Sequence, residues 1–146
     1  MLSNTSKYAI RALIYLAMHS EEKKVVGINI ISAEIKIPSP FLSKILQILV
    51  KNKLLVSIKG PNGGFGLAKP ATKITLLNIA EIIEGKGFLD ECLLGLKACT
   101  ESSKTCPIPS KLFPIHDQIK DMFAKTTISE FSNVEEMDKK LVTMIS

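Results

Sequence analysis

The chain has 146 residues, room for one domain and a modest extension. Its residues are 46% hydrophobic and 23% charged, which fits a globular chain and excludes a disordered one. The longest apolar runs, such as Ala12 to Met18, fall short of the ~20 residues a membrane span needs, so no membrane partner is expected. Lys7 and Arg11 lie inside the first apolar stretch rather than ahead of it, and no small-residue cleavage site follows. A secretory signal is therefore not expected, and the expected compartment is the cytoplasm. Three cysteines, an odd number, do not suit a closed disulfide framework. Aromatics at 5% with no Trp argue against a stacking platform for sugars or single strands. The net charge of +5 is uneven. Residues 1–70 carry ten Lys and Arg against three Asp and Glu, a net +7, and residues 71–146 carry nine against eleven, a net −2. That asymmetry points to an anionic partner for the first half alone, the alternative being a solvated lysine-rich surface.

In chain order, residues 4–20 read as a helix, with Ala9, Ala12, Leu13, Leu16 and Ala17 at helical spacing and Asn4 or Thr5 as its cap. Residues 29–36 read as a short helix. In Pro38-Ser39-Pro40, Ser39 can cap a third helix that Pro40 opens, running to about Asn52. Its predicted buried side is Phe41, Leu42, Ile45, Leu46, Leu49 and Val50, with Lys44 and Lys51 off it. Leu55–Ile58 and Phe65–Ala68 alternate as strands, and Lys59-Gly60-Pro61-Asn62-Gly63-Gly64 between them is a hairpin turn. Thr75 caps a helix over 76–84 that Gly85 stops. Residues 86–110 are irregular and hold Cys92, Cys99 and Cys106. From about Leu112 a long helix begins. Ile108, Leu112, Ile115, Ile119 and Met122 form a heptad-like seam, and Pro114 must lie in the first turn or kink the helix. Thr127 with Glu130 and Ser132 with Glu135 read as capping boxes, the second opening a last helix that carries Val134, Met137 and Leu141.

The fold class is mainly α with a small two-stranded β wing. Three helices and then a hairpin is the order of a winged helix-turn-helix, here followed by a long dimerisation helix. The expected organisation is a DNA-binding unit over 1–85, a cysteine loop over 86–110, and dimerisation and C-terminal helices over 111–146.

Four stretches carry a family resemblance. They are Ser6-Lys7-Tyr8-Ala9-Ile10-Arg11-Ala12-Leu13, Phe41-Leu42-Ser43-Lys44-Ile45-Leu46, Ser57 through Ala68, and Ile74-Thr75-Leu76 through Glu84-Gly85. In order and spacing the chain resembles the iron–sulfur cluster regulator and nitric-oxide-sensitive repressor (IscR/NsrR-type) family of bacterial winged-helix transcription regulators. The resemblance implies a homodimer held by the long helix, double-stranded DNA as partner, and base contacts near Phe41, Ser43 and Lys44.

The residues themselves allow that chemistry. Side chains in the first turn of the third helix, Ser39, Phe41, Ser43 and Lys44, can enter a major groove, with Lys51 further along. Lys44 can reach guanine acceptors or phosphate, and Phe41 a thymine methyl or the core. Lys59 stands where many relatives have arginine. An ammonium suits a phosphate better than a narrow minor groove. Gly60, Gly63 and Gly64 either let the wing backbone approach the duplex or merely serve the turn.

Cys92, Cys99 and Cys106 follow the pattern C-x6-C-x6-C, which matches no C-x-x-C zinc pair. The resemblance implies an iron–sulfur cluster, [2Fe-2S] or [4Fe-4S], completed by a residue other than cysteine. Relatives use a histidine three residues after the last cysteine, or an acidic residue near the N-terminus. This chain has Pro109 and Lys7 at those places. His116, Asp90, Glu91 and Glu101 are the nearby candidates. Thiols left from a lost cluster site are the alternative.

An enzyme is not expected. The chain has no phosphate-binding G-x-x-x-x-G-K-[ST] loop, no G-x-G-x-x-G and no H-E-x-x-H, and its cysteines sit in an irregular segment rather than at a helix start. The remaining alternative is a cluster-free winged-helix regulator that uses thiol oxidation or a protein partner.

Overall fold

The first helix, α1 (Asn4–His19), is capped by Ser3 rather than by Asn4 or Thr5. The Ser3 hydroxyl accepts the Ser6 amide at 3.2 Å, the bond an N-cap makes. The computed structural model describes residues 2–19, 25–90 and 109–132. Within them α1 is the hub. Ala9, Ala12, Leu13 and Leu16 are fully buried, and α1 packs against α2 (Ile28–Ile35), α3 (Ser39–Lys51), α4 (Leu76–Glu84) and α6 (Ser129–Ser132).

The second helix, α2, ends at Lys36, which adopts left-handed φ 54°. Pro38 then caps α3, its carbonyl accepting the Leu42 amide at 2.9 Å. The expectation for Ser39 fails here. Ser39 already lies within the helix, and its hydroxyl turns across to Asn29 Oδ1 at 3.1 Å.

Strands β1 (Leu55–Ile58) and β2 (Gly64–Leu67) pair antiparallel, from Leu55 opposite Leu67 to Ile58 opposite Gly64. The second strand thus begins one residue earlier than predicted, and Ala68 continues beyond the ladder with one bond to the Leu54 carbonyl. Leu55 and Phe65 face the core, while Val56 and Ile58 stand outward opposite Gly66 and Gly64. Val26 adds a one-residue third strand, exchanging bonds of 2.8 and 2.9 Å with Phe65.

A short 3-10 turn at Ala71–Lys73, not anticipated from sequence, leads to α4. Thr75 caps α4 as expected, in a reciprocal box with Asn78 (both bonds 3.1 Å), and Gly85 at φ 99° ends it. The long helix α5 (Pro109–Lys125) starts three residues before Leu112, which places Pro114 in its second turn. Without an N–H, Pro114 leaves the Ser110 carbonyl without its intrahelical donor.

After α5 the chain returns to the first half. Leu76 donates to Thr126 O at 3.0 Å and Ile128 to Ile74 O at 2.9 Å, so Ile128 is fully buried in the α1 core. Of the Thr127–Glu130 box, the carboxylate half forms (2.9 Å), while the Thr127 hydroxyl pairs with Ser129 instead. The Ser132–Glu135 box and the helix of Val134, Met137 and Leu141 lie outside the described residues. Among the described residues, no helix is long and apolar enough to cross a membrane.

Glu84 ties the end of α4 to the start of α1. Its Oε1 accepts the Ser3 amide (2.8 Å) and the hydroxyls of Ser3 and Ser6 (2.5 Å each). Burial raises the carboxyl's pKa, but the serine hydrogen bonds outweigh it and hold the net value below the ordinary range. A folded-state value below the unfolded one contributes stability at neutral pH that is lost as pH falls through the folded value. Urea midpoints at neutral pH and in mild acid should therefore show a drop on acidification. Glu84→Gln should lower the neutral midpoint and shrink that drop; an unchanged drop would exclude this carboxylate as its source.

Candidate nucleic-acid interface

The apolar ridge Leu42, Ile45, Leu46 and Leu49 turns one side of α3 into the core. The opposite side is therefore fixed. Phe41, Lys44, Ile48 and Lys51, spaced three, four and three, form one exposed stripe along it. Three expected contact residues, Phe41, Lys44 and Lys51, share this stripe, and Ser43 sits half-buried at its margin. Phe41 does not join the buried side as predicted. It is 42% exposed and rests edge-on against Tyr8 of α1, with ring centres 5.8 Å apart and planes at 87°. Only the Leu42 ridge meets α1 squarely, and a residue one position away points about 100° around the helix.

The wing brings Lys59, Gly60 and Gly63 together at one tip, where the Gly63 amide donates to the Gly60 carbonyl at 3.0 Å. Lys59 is exposed. The glycines differ in what they face. Gly60 adopts φ 112° and a Cβ there would meet nothing within 4 Å, whereas a Cβ on Gly63 would overlap the Ile58 carbonyl. Gly60 thus opens outward and Gly63 closes the hairpin on itself.

Lys44, Lys51, Lys53 and Lys59 are all exposed. The ion pairs found among the described residues, Lys120–Asp90 (3.2 Å) and Lys125–Asp121 (2.8 Å), lie in the second half of the chain. The α3 stripe and the wing tip therefore present cations and hydrogen-bond donors, a surface suited to a polyanion. Lys59→Ala should weaken duplex binding and flatten the dependence of log K on log salt by about 0.9, one phosphate's worth. An unchanged slope in a filter-binding titration would remove the wing from the interface.

Sequence reasoning missed Asn29, Tyr8 and Arg11 as neighbours of this surface. The Arg11 guanidinium lies 5.8 Å from the centre of the Tyr8 ring. Tyr8 and Arg11 carried a signal, since both fall off the Ala9–Ala12–Leu13 face; Asn29 carried none.

Cys92, Cys99 and Cys106 lie outside the described residues, as do Glu91 and Glu101. Of the other candidate ligands, Asp90 pairs with Lys120 and His116 sits half-buried on α5. Among the described residues, no three His, Cys, Asp or Glu side chains form a group that could hold a metal ion.

The sequence profile of the family described as "Rrf2: Iron-dependent Transcriptional regulator" matches residues 2–133. A protein of Aquifex aeolicus (strain VF5) named "Putative HTH-type transcriptional regulator" is 38% identical over 137 residues, 93% of this chain and 94% of its own length. The HTH-type transcriptional regulator NsrR of Oceanobacillus iheyensis is 34% identical over 91 residues, 62% of this chain and 61% of its own. Among solved structures, CymR of B. subtilis, described as its global cysteine regulator, superposes with a TM-score of 0.73 at 21% identity, covering 90% of this chain and 95% of that one. The shared fold is the winged helix-turn-helix.

Proposed function

The chain belongs to the Rrf2 family of transcriptional regulators, and from that premise we propose that it reads duplex DNA as a twofold pair and answers to an iron–sulfur cluster on Cys92, Cys99 and Cys106. It is a DNA-binding transcriptional regulator, not an enzyme. A duplex partner implies work in the cytoplasm.

The observation that carries the DNA reading is the exposed α3 stripe beside a basic wing tip. With α3 in a major groove, Lys44 reaches base edges or phosphate, Phe41 offers an apolar edge to a thymine methyl, and Lys51 meets the backbone. Lys59 and Gly60 then fall toward the adjacent strand. The stripe Leu112, Ile115, Ile119 and Met122 on α5 supports the pair. Ile115 and Met122 are each 52% exposed, whereas Phe123, one turn after Ile119 at the edge of the stripe, is buried. Two such helices facing each other would place half-sites one duplex turn apart, ~34 Å, or a multiple of it.

Two described residues bracket the cysteine segment. Asp90 is held to Lys120 of α5, and Pro109 begins the same helix. Eleven residues of helix separate these anchors, roughly 16 Å at 1.5 Å per residue. On this reading the proposed sensor (86–110) meets α5 at Asp90 and at Pro109, and the segment after α5 returns to the proposed DNA-reading unit (1–85). Three thiolates suit an iron–sulfur cluster, [2Fe-2S] or [4Fe-4S], and His116 on α5 is the histidine nearest to them along the chain and a candidate to complete it. When bound, such a cluster supplies an iron that oxidant or nitric oxide can reach where its fourth ligand is not a thiolate.

Lys7 and Pro109, standing where the resemblance puts an acid or a histidine, favour a second reading, a cluster-free regulator switched by thiol oxidation or a protein partner. Wild type and Cys99→Ala, purified and reconstituted without oxygen, separate the two. The cluster reading expects a visible spectrum with iron and sulfide in wild type, lost in the variant along with a change in DNA affinity. No iron, but an affinity that shifts with a disulfide oxidant, would establish the thiol switch. No iron and one unvarying affinity would leave the partner.

A further inference from the structure

The start of α2 lies between the two elements that read the grooves. On one side Val26 is paired to Phe65 of the wing, and a Cβ on the helix-capping Gly27 would stand 3.9 Å from the Gly63 carbonyl oxygen. On the other side Asn29 meets Ser39 in the first turn of α3. When a helix occupies a major groove and its wing the neighbouring minor groove, one sugar–phosphate strand passes between them. The element that bridges helix and wing faces that strand.

Asn29 is equipped to meet it. Its side chain is exposed, and its Oδ1 accepts the Ser39 hydroxyl at 3.1 Å. That bond orients the amide so that the oxygen is occupied and the Nδ2 donors remain for another acceptor. Ser39, expected from sequence to cap α3, instead gives its hydroxyl to Asn29.

We propose that Asn29, held by Ser39, donates a hydrogen bond to a phosphate of the strand running between the α3 groove and the wing groove, and so sets the register of the protein on DNA. The assignment rests on the docking proposed above. It gives Asn29 a positioning role that is blind to base sequence. Because the contact is neutral, it adds affinity without releasing a counterion, which distinguishes it from Lys59.

The test uses the full-length protein, a duplex it selects from a random-sequence pool, and an unselected random-sequence duplex. Asn29→Ala should weaken binding to both by a similar factor, about three- to tenfold, with the salt slope unchanged. Ser39→Ala should show a smaller loss, and should cost nothing further once Asn29 is alanine. Asn29→Lys should restore binding and steepen the salt slope by about 0.9. Unchanged affinity for both duplexes in Asn29→Ala overturns the proposal, as does a loss confined to the selected duplex, which would mean base reading. If the wild-type protein selects no duplex at all, the docking fails rather than the role of Asn29 within it.

Discussion

Replacing Gly64 by alanine should collapse the wing and cost about 2–4 kcal/mol of stability. Gly64 holds φ 155°, outside the range side chains readily adopt, and its missing Cβ is where the Val26 carbonyl lies. Any side chain there pushes against backbone, not against a movable side-chain end. The first bonds to go are those between Val26 and Phe65, the pair that seats the hairpin on the segment leading into α2. The urea midpoint should fall, and DNA affinity should fall about tenfold or more as the tip loses its place. Gly60→Ala makes the contrast, since nothing lies within 4 Å of its Cβ. It should cost only the penalty of its own φ and leave the Val26 pairing intact. Equal losses from the two substitutions would mean that the close approach at Gly64 does not organise the wing.

Ile119→Asp should split the proposed pair. Ile119 is half-buried at the centre of a stripe whose other members, Ile115 and Met122, are half exposed, and the following residue, Lys120, is engaged with Asp90. A carboxylate on that stripe would enter a dry contact without a partner. The dimer dissociation constant should rise by a factor on the order of a hundred. DNA affinity should drop with it, because each half-site would then be bound separately. Sedimentation equilibrium measures the first effect and a palindromic duplex the second. If the native protein sediments as a monomer at micromolar concentration, α5 is not a dimer helix.

Helix positions were legible in the sequence because helical periodicity is local. The spacing of Leu42, Ile45, Leu46 and Leu49 alone orients α3, and with it the exposed lysines. Thr75 and Gly85 marked α4 because a cap needs only its own neighbours. The errors came where a residue far along the chain decides. Ser39 looks like a cap until Asn29, ten residues earlier, takes its hydroxyl. Phe41 looks like core until α1 leaves it only the Tyr8 edge. β2 begins at Gly64 rather than Phe65 because the Ile58 pairing reaches that far, and a single paired residue such as Val26 has no sequence pattern at all. The return of Thr126–Ile128 to Ile74–Leu76 is hidden for the same reason.

That return bears on the order in which the protein can be made. Ile128 is fully buried in a core that includes Leu13, Leu16 and Leu42, which leave the ribosome more than eighty residues earlier. At 5–20 residues per second, α1 and α3 wait some seconds for the side chain that completes their packing. By then the cysteine segment has already emerged. A nascent chain therefore cannot present a finished DNA-reading surface ahead of the region proposed to govern it.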